Sequence, residues 1–285
     1  MDEDYCEVSM NVLILGATGM LGHKMIQVLS KDFEVFGTTH AASALENIMG
    51  DVCADNMGSI RNAIKLTLPH VIVNCIGIIK QRPEANDPLT AISVNALFPH
   101  KLARVCKQND IRLIHMSSDC VFSGKKGYYT ETDQSDAEDL YGRSKYLGEI
   151  YYPGCITIRT SIIGREFNSK NGLVEWFLSN EGKTVSGYTN AIFSGLTTLE
   201  LSRVVGKIIK SFPDLTGLYQ VASGPISKFS LLQIIKNEYN VDITIEVESN
   251  TINNRALNSS KFIKETGIKV PSWEKMVRDM HKDVI

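Results

Sequence analysis

The segment Asn11-Val12-Leu13-Ile14-Leu15 runs directly into Gly16-Ala17-Thr18-Gly19-Met20-Leu21-Gly22. A stretch with no polar interior position reads as a strand buried on both faces. The turn behind it opens a helix that continues through Met25 to Leu29. Three glycines at this spacing have separate duties. One permits a tight turn, one lets the backbone approach a bulky anion, and one lets the helix pack closely on the strand. The helix start adds free N–H groups and a partial positive charge. Gly16, Thr18, Gly19, Met20, Leu21 and Gly22 are therefore predicted to hold the pyrophosphate of a dinucleotide.

The same alternation continues along the chain. Apolar strands are read at Phe33–Gly37, Val71–Cys75 and Ile111–Met116, with helices over Ile60–Leu66 and Ala91–Gln108. Strands of this kind, each followed by a helix, predict an α/β fold with a Rossmann-type, doubly wound parallel sheet covered on both faces. Residues 10–165 are assigned to this dinucleotide-binding domain. Beyond about residue 165 the pattern loosens, with polar interruptions such as Gly187-Tyr188-Thr189-Asn190. Helices are expected over Leu199–Lys210 and Leu231–Tyr239, and a half-exposed strand over Val241–Val247. Residues 166–285 are read as a smaller C-terminal lobe, partly interleaved with the first domain.

Composition narrows the class of function. Of 285 residues, 43% are apolar, and 30 basic side chains face 32 acidic ones for a formal charge of −2. That balance argues against a nucleic-acid or anionic-membrane partner. No run reaches the ~20 apolar residues a membrane helix needs. The start, Met1-Asp2-Glu3-Asp4-Tyr5, is acidic, and the first nine residues read as a loose extension. None of the six cysteines forms a Cys-x-x-Cys pair, and Cys53, Cys75 and Cys120 are expected as buried free thiols in a reducing, cytoplasmic setting. The six histidines show no ligand spacing, so no metal is predicted.

The end of the second strand reads Gly37-Thr38-Thr39-His40, without the acid that would accept from a ribose 2′-hydroxyl. Thr38, Thr39 and His40 suit a 2′-phosphate, which favours NADPH, with NADH the alternative. Further on, Tyr141-Gly142-Arg143-Ser144-Lys145 sets a phenol and an amine one helical turn apart, on one face. The ammonium is expected to lower the phenol's proton affinity. Ser117-Ser118-Asp119 closes the Ile111–Met116 strand, at the sheet end that faces a ligand crevice.

Together the Gly-x-x-Gly-x-x-Gly turn, the serine pair and Tyr-x-x-x-Lys resemble the extended short-chain dehydrogenases/reductases. The stretch Ser117–Gly124 and Tyr129-Thr130-Glu131-Thr132-Asp133 are similar to segments of the dTDP-4-dehydrorhamnose reductases, in which threonine usually stands at the position of Ser118. The resemblance spans about residues 10 to 280. It makes Ser118, Tyr141 and Lys145 the catalytic residues. It also places Cys75-Ile76-Gly77, Asn95 and Asp55 against the cofactor, although Asp55 on its own reads equally as a surface aspartate. Tyr141 and Lys145 would contact the cofactor as well. Ser118, Asp119, Tyr188, Asn190 and Arg255 would face substrate, and Ala256 replaces the family's usual proline. The activity implied is NADPH-dependent reduction of a 4-keto-6-deoxy sugar linked to dTDP, or of a UDP-linked N-acetylated relative, for surface polysaccharide. The segment Arg165–Lys170 departs from the thymidine-sugar enzymes, and a homodimer is left open. Two rivals are a 4-epimerase with tightly held NAD and a non-catalytic dinucleotide-binding regulatory subunit. A 4,6-dehydratase would need an Asp-Glu pair where Asp119 and Cys120 stand.

Overall fold

The computed structural model describes residues 10–166 and 172–283. The proposed N-terminal extension, Cys6 and most of the Arg165–Lys170 segment lie outside the described residues. In chain order the first elements are β1 (Asn11–Leu15), α1 (Gly22–Leu29), β2 (Glu34–Thr38), β3 (Ile48–Met49), α2 (Met57–Thr67), β4 (Val71–Asn74), α3 (Pro88–Ala91), α4 (Phe98–Gln108), β5 (Arg112–Met116), α5 (Leu140–Leu147), β6 (Cys155–Arg159), β7 (Ile162–Ile163) and α6 (Leu173–Leu178). They are followed by β8 (Thr184–Tyr188), β9 (Ala191–Phe193), β10 (Leu196–Thr197), α7 (Thr198–Ser211), β11 (Gly217–Gln220), β12 (Ile226–Ser227), α8 (Lys228–Tyr239), β13 (Thr244–Glu248), β14 (Asn253–Asn254), α9 (Ser260–Thr266) and α10 (Trp273–Lys282).

Seven strands form the central sheet in the order β11-β6-β5-β4-β1-β2-β3, every neighbouring pair parallel. This is the expected doubly wound α/β sheet. Alternate residues along each strand feed opposite cores. Leu13, Leu15, Ile72 and Leu113 pack with α2 and α4, whereas Val12, Ile14, Val73, Ile114 and Ile158 pack with α1 and α7. Strand order reverses between β1 and β4, so the turns after β1, β4 and β5 open side by side at one sheet end. Strand β11, from the C-terminal half, completes the sheet beside β6, and α7 packs on α1.

The structure departs from expectation at two places that shape the site. The predicted helix Ala91–Gln108 is broken: residues Ile92–Leu97 form a π-helical segment between α3 and α4. Pro99, near the start of α4, has no N–H to donate to the carbonyl of Asn95, so the ordinary ladder cannot pass that point. Cys53, Cys75 and Cys120 are free but only partly buried. The first two line the cleft described next, where strand ends run out of the core. Strand β13 starts later than expected because Asn240 closes α8 in the left-handed conformation.

Candidate active site

A cleft of about 740 Å³ lies at the switch point of the sheet. Gly16, Thr18, Gly19, Met20, Leu21 and Gly22 line one wall, with His40 and Asp55 beyond them. Cys75, Ile76 and Gly77 line the next wall, and Tyr141 and Lys145 close it. Residues distant in sequence are thus brought together as expected. The volume falls in the ~300–1,000 Å³ range of ligand and cofactor sites.

Helix α1 begins at the turn with no side-chain cap and no acid in its first turn. Its positive end therefore faces the cleft uncancelled, which fits a pyrophosphate. A Cβ on Gly22 would stand 2.0 Å from the Gly16 carbonyl oxygen, so only glycine lets the helix close on the turn.

Two predicted cofactor residues do other work. Thr38 is fully buried, and its hydroxyl accepts the Gly16 N–H at 3.4 Å, so it holds the turn from behind. Thr39 takes the forward position, with its hydroxyl 3.0 Å from that of Thr18. Asn95, also buried, reaches the cleft indirectly. Its amide accepts from the Ile78 N–H at 2.9 Å, and donates to the Ile78 carbonyl at 3.1 Å and to the Ser144 hydroxyl at 3.3 Å. It ties the loop after β4 to α5. That loop contributes Ile78, Ile79 and Arg82 to the cleft, and the turns around α3 add Leu89, Thr90, Ser93 and Val94. None of these carries a sequence signature, because they come from a long loop and from the segment on either side of the helix break.

At the catalytic end, Asp139 caps α5 by accepting the Gly142 N–H at 2.7 Å. Gly142 lets this helix press on the turn after β5, since a Cβ there would meet the Cys120 carbonyl at 2.2 Å. This contact sets Tyr141 beside Ser118. The Ser118 hydroxyl accepts the Cys120 N–H at 3.1 Å and lies 3.3 Å from Asp119 Oδ1. Lys145 is buried, and its ammonium donates to the Met116 carbonyl at 2.6 Å.

The expected lowering of the Tyr141 phenol by Lys145 is not what these groups produce. Burial pushes the phenol above its ordinary range, reinforced by Cys120, Asp119 and Asp139 and opposed by hydrogen bonding from Ser118. The lysine is turned to a backbone carbonyl, and burial pulls it down to about 8 against the pull of Glu149 and Cys75. At neutral pH the site therefore holds a neutral phenol with its proton in place, beside an ammonium close to its titration point.

Ser118 and Asp119 are both buried. The Asp119 carboxyl is raised by burial in spite of Arg255 and Lys228. Arg255 reaches this turn through Nε, which donates to the Phe122 carbonyl at 2.8 Å. Lys228, which the sequence reading passed over, places its ammonium 3.8 Å from the centroid of the Phe193 ring. Of the predicted substrate residues, Ser118, Asp119, Tyr188, Asn190 and Arg255 all lie outside the cleft lining, whereas Ser117 is part of it. Tyr188 is an exposed residue at the end of β8, and the Asn190 amide donates to the Ser249 carbonyl at 2.7 Å, joining the segments that follow β8 and β13.

A parallel doubly wound sheet, a glycine turn at its switch point and a Tyr-x-x-x-Lys helix beside it define a dinucleotide-binding protein of the extended short-chain dehydrogenase/reductase kind. Residues 10–285 match the RmlD substrate binding domain family, and the chain belongs to it. It is 24% identical over 299 residues to the dTDP-4-dehydrorhamnose reductase of Salmonella typhimurium, covering 95% of this chain and 97% of that protein. It is 30% identical over 158 residues to methionine adenosyltransferase 2 subunit beta of Danio rerio, a match spanning 53% of this chain and 47% of that protein. The crystal structure of dTDP-4-dehydrorhamnose reductase from Bacillus anthracis in complex with NADP superposes with a TM-score of 0.81 at 22% identity, over 96% of this chain and 99% of that one.

Proposed function

We propose that the protein reduces the 4-keto group of a nucleotide-linked 6-deoxy sugar with NADPH. The observation that carries this reading is the convergence of Tyr141 and Lys145 on the cleft of the glycine turn, with Ser118, Asp119 and Arg255 gathered beside them. The bound nicotinamide supplies hydride. Tyr141 holds its proton until negative charge develops on the C4 oxygen, then donates it. Ser118 orients the carbonyl, and Lys145 offers an ammonium to the ribose hydroxyls. Arg255 suits the diphosphate, through charge-assisted hydrogen bonds. We assign the sugar nucleotide to the lobe of residues 166–285, on the side of Arg255. The intact Ser118, Tyr141 and Lys145 favour catalysis over a binding subunit, a second reading raised by the likeness to the Danio rerio protein.

The test is NADPH consumption with a panel of dTDP- and UDP-linked 4-keto-6-deoxy sugars. Turnover of one of them is expected. Firm cofactor binding with no oxidation by any sugar would favour the binding subunit.

Thr39 and His40, which follow β2, line the cleft and neither is acidic, so the end of that strand offers a 2′-phosphate hydrogen-bonding groups in place of a carboxylate. A charge-assisted hydrogen bond contributes ~1.5–3 kcal/mol, so NADPH is expected to bind roughly tenfold or more tightly than NADH in a fluorescence titration. Equal or tighter NADH binding would reverse the assignment. In the reductive direction, kcat/KM is expected to fall as pH rises through the Lys145 titration near about 8, because the lysine is charged only below it. The Tyr141 phenol, pushed upward, keeps its proton throughout that range. A flat profile from pH 7 to 9.5 would contradict this.

A further inference from the structure

Beneath Lys145 lies a buried pair that the proposed reaction has not used. Glu149 lies four residues after Lys145, just past the end of α5, and is closed on one side by Arg159 of β6. Arg159 Nε donates to Oε1 and its terminal nitrogen to Oε2, both at 2.7 Å. Ser117 donates its hydroxyl proton to Oε1 at 2.7 Å, and Tyr151 donates to Oε2 at 2.8 Å. Ser117 lines the cleft, and the residue before it, Met116, supplies the carbonyl on which the lysine ammonium rests. Met116, the last residue of β5, and Ser117, the next along the chain, thus tie down Lys145 and Glu149 respectively.

We propose that Glu149, clamped by Arg159, is a positioning residue for Lys145: its carboxylate is the buried counter-charge of the lysine ammonium, and its bond to Ser117 fixes the strand end on which that ammonium rests. This depends on reading Lys145 as the cofactor's ribose anchor, and adds a residue behind it. Of the other titratable neighbours, Cys75 beside the end of β4 acts on Lys145 in the same direction but less than Glu149, and burial pushes its own thiol up to about 12. His115 on β5 is kept uncharged by burial, with Lys145 itself acting in the same direction. Tyr141, on the same helix, is a neutral phenol. Asp119 lies beyond Tyr141, where Arg255 and Lys228 face it. Arg159 is cationic but spends its fork on Glu149, leaving the carboxylate as the acidic group that steadies the ammonium. Because Ser117 gives its only proton to Glu149, it offers the cleft an acceptor alone.

The experiment is a pH titration of Lys145 by NMR in the full chain carrying ε-13C-lysine, with Lys145→Met used to assign the resonance. It needs neither cofactor nor sugar, so its result stands apart from whether the protein turns over a 4-keto sugar. Glu149→Gln is expected to move the Lys145 midpoint down by about one pH unit. Arg159→Met, which frees the carboxylate from its partner, should leave the midpoint unchanged or raise it. Should Glu149→Gln fail to fold, the E149Q/R159M double variant is compared with Arg159→Met, below whose midpoint it is expected to fall by the same amount. NADPH affinity of the folded variant should fall more between pH 6.5 and 8.5 than that of the parent. A Lys145 midpoint that stays within a few tenths of the parent in the folded variant overturns the proposal.

Discussion

Tyr141→Phe is expected to lower kcat by about 10²–10⁴-fold, the range for removing a positioned general acid. The ring stays, so the packing of α5 against the Ser118 turn is retained and only the hydroxyl is lost. NADPH affinity should change within a few-fold, because the glycine turn, the loop after β4 and Lys145 are untouched. The split between turnover and affinity distinguishes a proton donor from a binding contact. Single-turnover kinetics with a fluorescence titration reads both. A variant that keeps most of its kcat would remove Tyr141 from the chemistry and leave the buried phenol without a role.

The second large effect is expected at the opposite end of the cleft. Gly22→Ala places a methyl 2.0 Å from the Gly16 carbonyl oxygen, and within 2.9 Å of the Ala17 Cα. Both obstacles are backbone, so no side chain can swing aside. Helix α1 must withdraw from the turn, taking its N–H groups and positive end with it. Overpacking of this kind costs about 1–3 kcal/mol in stability. Loss of charge-assisted contacts to a phosphate should weaken NADPH roughly tenfold to 100-fold. Thermal unfolding and cofactor titration check the two parts separately. Parent-like affinity would mean that the pyrophosphate does not rest on this helix start.

The parts legible in the sequence were those where sterics or spacing leave one solution. The glycine turn is one: Gly22 tolerates no Cβ, and strand, turn and helix are contiguous. Tyr141 and Lys145 are another, since a helix of any register keeps residues four apart on one face. What escaped depended on partners far along the chain. Thr38 and Thr39 look interchangeable, but strand alternation turns Thr38 to the back of the turn and Thr39 toward Thr18. Strand β6 gives a weak apolar signal, because Thr157 stands at its centre and Arg159 at its end. Only the fork to Glu149 makes that arginine a core residue. The break at Pro99 was hidden by good helical periodicity on either side, yet it brings the α3 region into the cleft. Lys228 opens an ordinary amphipathic helix, and nothing local marks its ammonium as facing the Asp119 turn. In the sequence, Tyr188 and Asn190 stand out only as polar residues in a loop. Asn190 instead satisfies a backbone carbonyl of the neighbouring turn.

The most direct measurement of the central claim is isotope transfer. The protein would be incubated with NADPH deuterated at nicotinamide C4, in each prochiral form, and with a dTDP- or UDP-linked 4-keto-6-deoxy sugar, and the product read by mass spectrometry and NMR. One deuterium at sugar C4, from one of the two cofactor forms and abolished by Tyr141→Phe, is the predicted result. A product with no deuterium at C4, or equal transfer by the Tyr141→Phe variant, would contradict it.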